Sequence, residues 1–299
     1  MAAPATYETV LAIDIGGTKV LGALVSGRAV SEVVEIATPT SEDPRLWIAE
    51  LLQRVPNWRG RYGRVGAAVT GVVEEGRWSA LNPKTLPIPS NYPLIDMLAE
   101  LAGSPAVALN DAQAAAWGEF RLGAGQGTRN CVFLTLSTGI GGGVVIDGKL
   151  QTGLAGHFGL FRADIADPTP IESLTTGRWM AEMARAEGNA TDAKGVFEAA
   201  RNGDAWAEEV IALSARRIAT LCANIQLGFA PEKIIIGGSI GLAPGFMARI
   251  AAWFDDLPER LQPTLVAAQL GGQAGIVGIA QIASSIEGKM INQREHHNA

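Results

Sequence analysis

Cysteine and histidine are almost missing from this chain of 299 residues. The 2 cysteines, Cys131 and Cys222, are too few for a multi-cysteine zinc site. Both sit in apolar surroundings and read as small buried hydrophobes in a reducing compartment. Two of the 3 histidines, His296 and His297, stand in a polar tail and carry no expected role. No apolar run approaches the ~18 residues that a membrane span needs. Residues 1–10 lack the basic-then-apolar pattern of a secretion signal. A cytoplasmic protein with no membrane partner is the expectation. Positive charge is also short: 24 Lys and Arg stand against 30 Asp and Glu, net −6. That balance argues against a nucleic-acid partner.

What the chain does have is apolar residues and glycine. Hydrophobic residues make up 47% and charged residues 18%, which supports a large core and excludes global disorder. The length allows one large or two ordinary domains. Three glycine turns each follow an apolar strand: Gly16-Gly17, Gly139 to Gly143, and Gly237-Gly238.

Residues 11–25 (LAIDIGGTKVLGALV) read as two apolar strands joined by the first of these turns. Gly16 and Gly17 are expected to supply positive φ and to leave no Cβ in a ligand's way. Asp14 interrupts the apolar run just before the turn. A carboxylate there costs free energy unless something offsets it, and a hydrated Mg²⁺ with its phosphates is one such partner. Thr18 and Lys19 follow, where a hydroxyl and a cation could meet phosphate oxygens. The stretch is not a Walker loop, and it also reads as an ordinary hairpin ending in a solvated Asp.

Further along, helical spacing covers 44–55, 93–103, 112–122, 171–186, 193–201, 205–228, 242–254 and 275–286. Strands are expected at 65–69, 106–109, 131–136, 144–146, 233–236 and 265–267. A Pro-rich loop opens at Leu81-Asn82-Pro83, and loops that long are often functional. Residues 133–149 repeat the outline of 11–28, an internal duplication that suggests two related half-domains facing each other.

Backbone N–H groups at glycine turns make anion cradles, and three such turns suggest a nucleotide held between two sheets. Ser137 and Thr138 could donate hydroxyls to phosphate there. Asp111 ends a buried strand and starts a helix, so it is the candidate catalytic base; an N-cap is the alternative. Asn110 beside it can both donate to and accept from a sugar hydroxyl. Phosphoryl transfer asks for such a base, a positioned hydroxyl, Mg²⁺ and phosphate donors.

These segments together resemble the ROK family of bacterial sugar kinases and repressors. The resemblance rests on LAIDIGGTK (11–19), Leu81-Asn82-Pro83, LNDAQAAAW (109–117), LSTGIGGG (136–143), LAGH (154–157) and IGGSIGLA (236–243). It implies a two-lobed α/β fold of the actin/hexokinase-like ATPase type, with ribonuclease H-like duplicated mixed sheets flanked by helices. A small lobe over 1–109, completed by a C-terminal helix at 275–290, and a larger lobe over 110–274 are expected to flank the active site. ATP and Mg²⁺ are the implied cofactors, and a homodimer is implied as well. Asp14, Gly16, Gly17, Thr18 and Lys19 would hold phosphate, with Asp14 reaching Mg²⁺ indirectly. Thr138, Gly139 and Gly141 would cradle the transferring phosphates, and Gly238 would border adenine. Asn82, Asn110, Asp111, His157 and Glu172 would bind the sugar, with Asp111 deprotonating its 6-hydroxyl. Glu172 also reads as a helix-start residue favoured by the dipole.

Residues 110–117 and 238–243, with His157 where glucokinases of the family usually carry Glu, resemble the family's N-acetylmannosamine-phosphorylating members, and the resemblance implies that sugar as substrate, in sialic acid breakdown. Another hexose is the alternative. A repressor is disfavoured, because strand sequence begins by Val10 and the net charge is −6. One departure stands out. Leu160 follows Gly159, and residues 161–170 hold no cysteine, so the family's structural zinc is not expected. Packing of Phe158, Leu160 and Phe161 would hold the loop instead.

Overall fold

The structure, a computed structural model, describes residues 8–39, 41–82, 86–162 and 167–285. Its principal elements in the first half are β1 (Val10–Ile15), β2 (Lys19–Ser26), β3 (Ala29–Ala37), α1 (Pro44–Arg54), β4 (Arg64–Val69), β5 (Val72–Glu74), β6 (Arg77–Ser79), α2 (Leu94–Ala102), β7 (Ala106–Asn110) and α3 (Asp111–Leu122). Then come β8 (Cys131–Leu136), β9 (Ile140–Ile146), β10 (Lys149–Gln151), α4 (Gly177–Ala186), α5 (Ala193–Arg201), α6 (Ala205–Phe229), β11 (Lys233–Gly237), α7 (Phe246–Ala251), β12 (Leu265–Ala267) and α8 (Ala274–Ser284). They form two compact units. Unit 1 takes the described residues up to Leu122, Thr152–Leu154 and those from Gln273 on; unit 2 takes Gly123–Gln151 and Ala155–Gly272.

Unit 1 is built on a five-stranded sheet ordered β3-β2-β1-β4-β7. The first three strands are antiparallel neighbours; β4 runs parallel to β1, and β7 parallel to β4. Side chains alternate across a strand, so Leu11, Ile13 and Ile15 share one face and pack with Trp47, Ile48 and Leu51 of α1. The helix α8 packs on β1, β4 and β7, and α3 lies along α8. The fit is close: a Cβ on Gly66 would stand 2.9 Å from Ile279, and one on Gly278 only 1.7 Å from the Ala114 carbonyl oxygen. With helices on both faces, β4 and β7 read as unbroken apolar runs rather than alternating ones.

Unit 2 repeats the topology with the order β10-β9-β8-β11-β12. Again an antiparallel triplet is followed by two parallel strands. Ile211, Ile218 and Ile225 of α6 join Val132, Leu134, Ile234 and Ile236 in its core. The duplication seen in the hairpins therefore extends to whole sheets.

Several elements differ from their sequence-based expectation. Residues 29–37, unassigned from sequence, form β3, an edge strand that is mostly exposed and carries few apolar signals. Its pairing with β2 shifts register at Ala23/Leu24, and Glu32 there has φ 39°. The change of unit falls after Leu122 rather than at 109/110, because α3 packs on α8. The expected helix at 171–186 is a 3₁₀ turn (Ile171–Leu174) followed by α4. The one expected at 242–254 begins only at Phe246. Residues 286–290 of the expected last helix, Pro83, His296 and His297 lie outside the described residues.

Candidate active site

In unit 1, the β7–α3 junction and the β4–β5 turn meet at Asp111. It opens α3, immediately after β7. The helix cap is Asn110 rather than Asp111: its buried Oδ1 accepts from Ala112 N at 3.0 Å and Gln113 N at 3.1 Å. The Asn110 Nδ2 donates to the Gly71 carbonyl at 2.9 Å, which ties the cap to the β4–β5 turn. Asp111 follows as the first residue of α3 and is half-buried. Its Oδ1 accepts from Ala112 N at 2.8 Å, and its Oδ2 accepts from the Thr70 hydroxyl at 3.2 Å.

Thr70 was not singled out from sequence. Its N–H donates to the Ile15 carbonyl at 3.2 Å, and its carbonyl accepts from Trp78 Nε1 at 2.9 Å. The next residue, Gly71, has φ +113°, and a Cβ on it would meet the Ser79 carbonyl oxygen at 2.4 Å, so glycine is required here.

Asp14 sits in β1 opposite Leu21 of β2 and Ala68 of β4. Its carboxyl is pushed up to about 6, first by burial, then by the charge of Asp111, with Lys19 opposing. Two mutually repelling carboxylates are the kind of place where a cation is welcome. The following turn is hydrogen-bonded from Gly16 N to Lys19 O at 3.0 Å. Thr38 holds it from outside, its hydroxyl donating to Gly16 O at 2.8 Å. Gly17, Thr18 and Lys19 are exposed. Neither Gly16 nor Gly17 has positive φ, contrary to expectation, and a Cβ on Gly16 would meet the Lys19 carbonyl oxygen at an ordinary 3.5 Å. Lys19 pairs with Glu35 of β3 at 2.9 Å, a partner that the unassigned strand had hidden. Asn82 is exposed, and its carbonyl accepts from Leu86 N at 3.1 Å.

In unit 2, Thr138 and Gly139 form the β8–β9 turn, closed by Ser137 N donating to Gly139 O at 3.0 Å; Thr138 is exposed. Gly141 pairs with Thr135 within the ladder. Gly142 and Gly156 press together: a Cβ on Gly156 would lie 2.5 Å from the Gly142 carbonyl oxygen. This contact brings His157, whose Nε2 is buried, beside β9. Phe158 is buried and its ring meets those of Phe161 at 5.5 Å and Phe229 at 5.9 Å. Leu160 is 46% exposed and does not help hold the loop, in contrast to the expected packing. A backbone bridge between Arg162 and Pro170 closes the far end of the loop instead. Glu172 reaches this corner: its Oε2 accepts from Ile140 N at 3.4 Å and lies near Gly139 and Gly159.

The segment carrying Glu172 is braced by residues that sequence alone did not mark. Ser214 Oγ donates to the Thr175 carbonyl at 2.7 Å, and Arg217 Nη1 to the Leu174 carbonyl at 2.6 Å. The Arg217 guanidinium also lies 5.2 Å from the Trp179 ring centre. Gly238 has φ +83°, and a Cβ there would meet the Leu136 carbonyl oxygen at 2.2 Å. That same oxygen accepts from Ile240 N and Gly241 N, so the β11 exit turn is moored to β8. Among the described residues no three His, Cys, Asp or Glu side chains are grouped to hold a metal ion.

Two repeated sheets, each with a glycine turn after its first strand, define the actin/hexokinase-like ATPase class. Solved structures agree: a ROK family glucokinase from Streptomyces griseus in complex with glucose and AMPPNP superposes with TM-score 0.78 at 30% identity, over 92% of this chain and 99% of that one. A putative N-acetylmannosamine kinase from Listeria monocytogenes gives TM-score 0.80 at 25% identity, over 91% and 97%. The ROK family model matches residues 10–286, and the chain belongs to the ROK family. The N-acetylmannosamine kinase of Escherichia coli is 38% identical over 286 residues, covering 92% of this chain and 98% of that protein. The bifunctional NanE/NanK enzyme of Brucella melitensis is 44% identical over 280 residues; there the chain spans only 54% of the relative's length.

Proposed function

We propose that the chain transfers a phosphoryl group from ATP to the 6-hydroxyl of N-acetylmannosamine, a step in sialic acid catabolism. The observation that carries this reading is its 38% identity to the E. coli enzyme across nearly that protein's whole length. The geometry of unit 1 supports it: Asp111 stands at a helix start with its carboxylate oriented by Ala112 N and the Thr70 hydroxyl, as a base for a sugar hydroxyl must be. Asn82 and Asn110 bind the sugar in this reading, together with His157 and Glu172. Asn110 does so while serving as the helix cap.

For ATP, Gly17 and Thr18 in the exposed turn after Gly16, and the turn of Thr138 and Gly139, would face phosphate oxygens, with Gly141 in the strand beyond and Gly238 at the adenosine end. Lys19 contributes positive charge at the edge, shared with Glu35. The residues fit Mg²⁺: Asp14 is a carboxylate that burial and the charge of Asp111 push up to about 6 despite Lys19, so a further cation beside it is favoured. When bound, Mg²⁺ neutralises phosphate charge during transfer. The deciding experiment is ATP consumption with N-acetylmannosamine, N-acetylglucosamine, mannose and glucose. The expected result is a kcat/KM for N-acetylmannosamine well above the other three. Preference for glucose would overturn the substrate assignment and leave a hexose kinase of the same family.

A further inference from the structure

We propose that Thr70 is a positioning residue for the base: its hydroxyl holds the Asp111 carboxylate in the rotation that accepts the sugar proton. The inference rests on the proposed role of Asp111 and adds a residue to it. A carboxylate at the start of a helix can rotate about its last bond, and a base works only when a lone pair points at the proton. Asp111 is held at both oxygens, by Ala112 N on Oδ1 and by Thr70 Oγ1 on Oδ2. The backbone bond alone leaves the plane of the carboxylate loosely set; the second bond fixes it.

Thr70 is suited to this because it is itself immobilised. The Ile15 carbonyl, one residue beyond Asp14, takes its N–H. The indole of Trp78, fully buried and edge-on to Trp47 at 6.5 Å, donates to its carbonyl. Gly71 behind it is clamped by Asn110, the neighbour of the base. The hydroxyl is thus delivered from a rigid turn 41 positions away in sequence.

The test is steady-state kinetics of Thr70→Val and Thr70→Ser beside the wild type, with Asp111→Asn and the double variant Thr70→Val/Asp111→Asn. Thr70→Val is nearly isosteric and is expected to lower kcat about 10–150-fold, the range of one hydrogen bond to a charged group, with the sugar KM and melting temperature unchanged. Thr70→Ser should restore most of the loss. In the Asp111→Asn background, Thr70→Val should add nothing, since its effect runs through that carboxylate. Unchanged kcat in Thr70→Val, a loss confined to KM, or additive losses in the double variant would each overturn the proposal. Should Thr70→Val fold poorly, Thr70→Ala serves with the same expectations. Near-wild-type turnover of Asp111→Asn itself would instead strike the base assignment, a different failure from that of Thr70.

Discussion

Asp14 and Asp111 are two carboxylates placed at strand and helix ends, and at Asp14 burial and the charge of Asp111 both act. For Asp14 the consequence is a pH-dependent stability. Its group in the folded protein is pushed up to about 6 from an ordinary 3.8, so the folded state binds this proton more tightly than the unfolded chain. Stability attributable to Asp14 is therefore present at low pH and lost as pH rises from about 4 through about 6. The shift corresponds to at most about 3 kcal/mol. Asp14→Asn is expected to raise the melting temperature at pH 8 and to leave it nearly unchanged at pH 4. An equal effect at both would show that the strain is steric. Asp111→Asn should act on chemistry instead, lowering kcat roughly 10²–10⁴-fold with sugar affinity largely kept. Pre-steady-state turnover with a direct binding measurement separates the two. Most of these residues were legible in sequence, because a carboxylate at the end of an apolar strand stands out. That Asn110 takes the N-cap of α3 was hidden, since Asn and Asp both favour the cap and only the geometry chooses between them.

The elements of unit 1 depend on a tight helix crossing. The α3 and α8 backbones approach so closely that a methyl group on Gly278 would overlap the Ala114 carbonyl, and one on Gly118 would stand 2.6 Å from the Ala274 carbonyl oxygen. Gly278→Ala must push α3 and α8 apart. It is expected to cost about 2–4 kcal/mol, seen as a lower thermal or denaturant midpoint. Since α3 begins with Asp111, kcat should fall as well. A midpoint within error of the wild type would show that the helices can separate freely. The glycine was visible in the sequence, but its purpose was not: helical periodicity reports a face and says nothing of how near the next backbone lies. The same limit explains β3. Its exposed, Glu-bearing edge carries a weak apolar signal, and its loss from the sequence-based assignment concealed the Lys19–Glu35 pair. The helix expected at 171–186 breaks because Thr175 and Thr176 turn their hydroxyls back onto the Ile171 and Glu172 carbonyls.

At the scale of the whole molecule, the segment where the family's zinc was not expected is tied at its ends by backbone: Ile171 N donates to Phe161 O at 2.7 Å. Phe158 anchors the near side in the core of unit 2. Turnover of N-acetylmannosamine is accordingly expected to survive a chelator that strips zinc while Mg²⁺ stays in excess. Loss of activity restored by zinc alone would show a metal site in this loop. The features legible in the chain were local ones: apolar strands ending in glycine turns, a carboxylate at a strand-to-helix junction, and the duplication of one hairpin by another. Each is written within a few consecutive residues, where backbone preferences and alternation of side chains act directly. The partners of those residues were not legible. Thr70 meets Asp111, Arg217 meets Leu174, and Gly156 meets Gly142 because sheet order and helix packing bring distant segments together. Such contacts are set by the burial of whole faces, so no short stretch of sequence carries them.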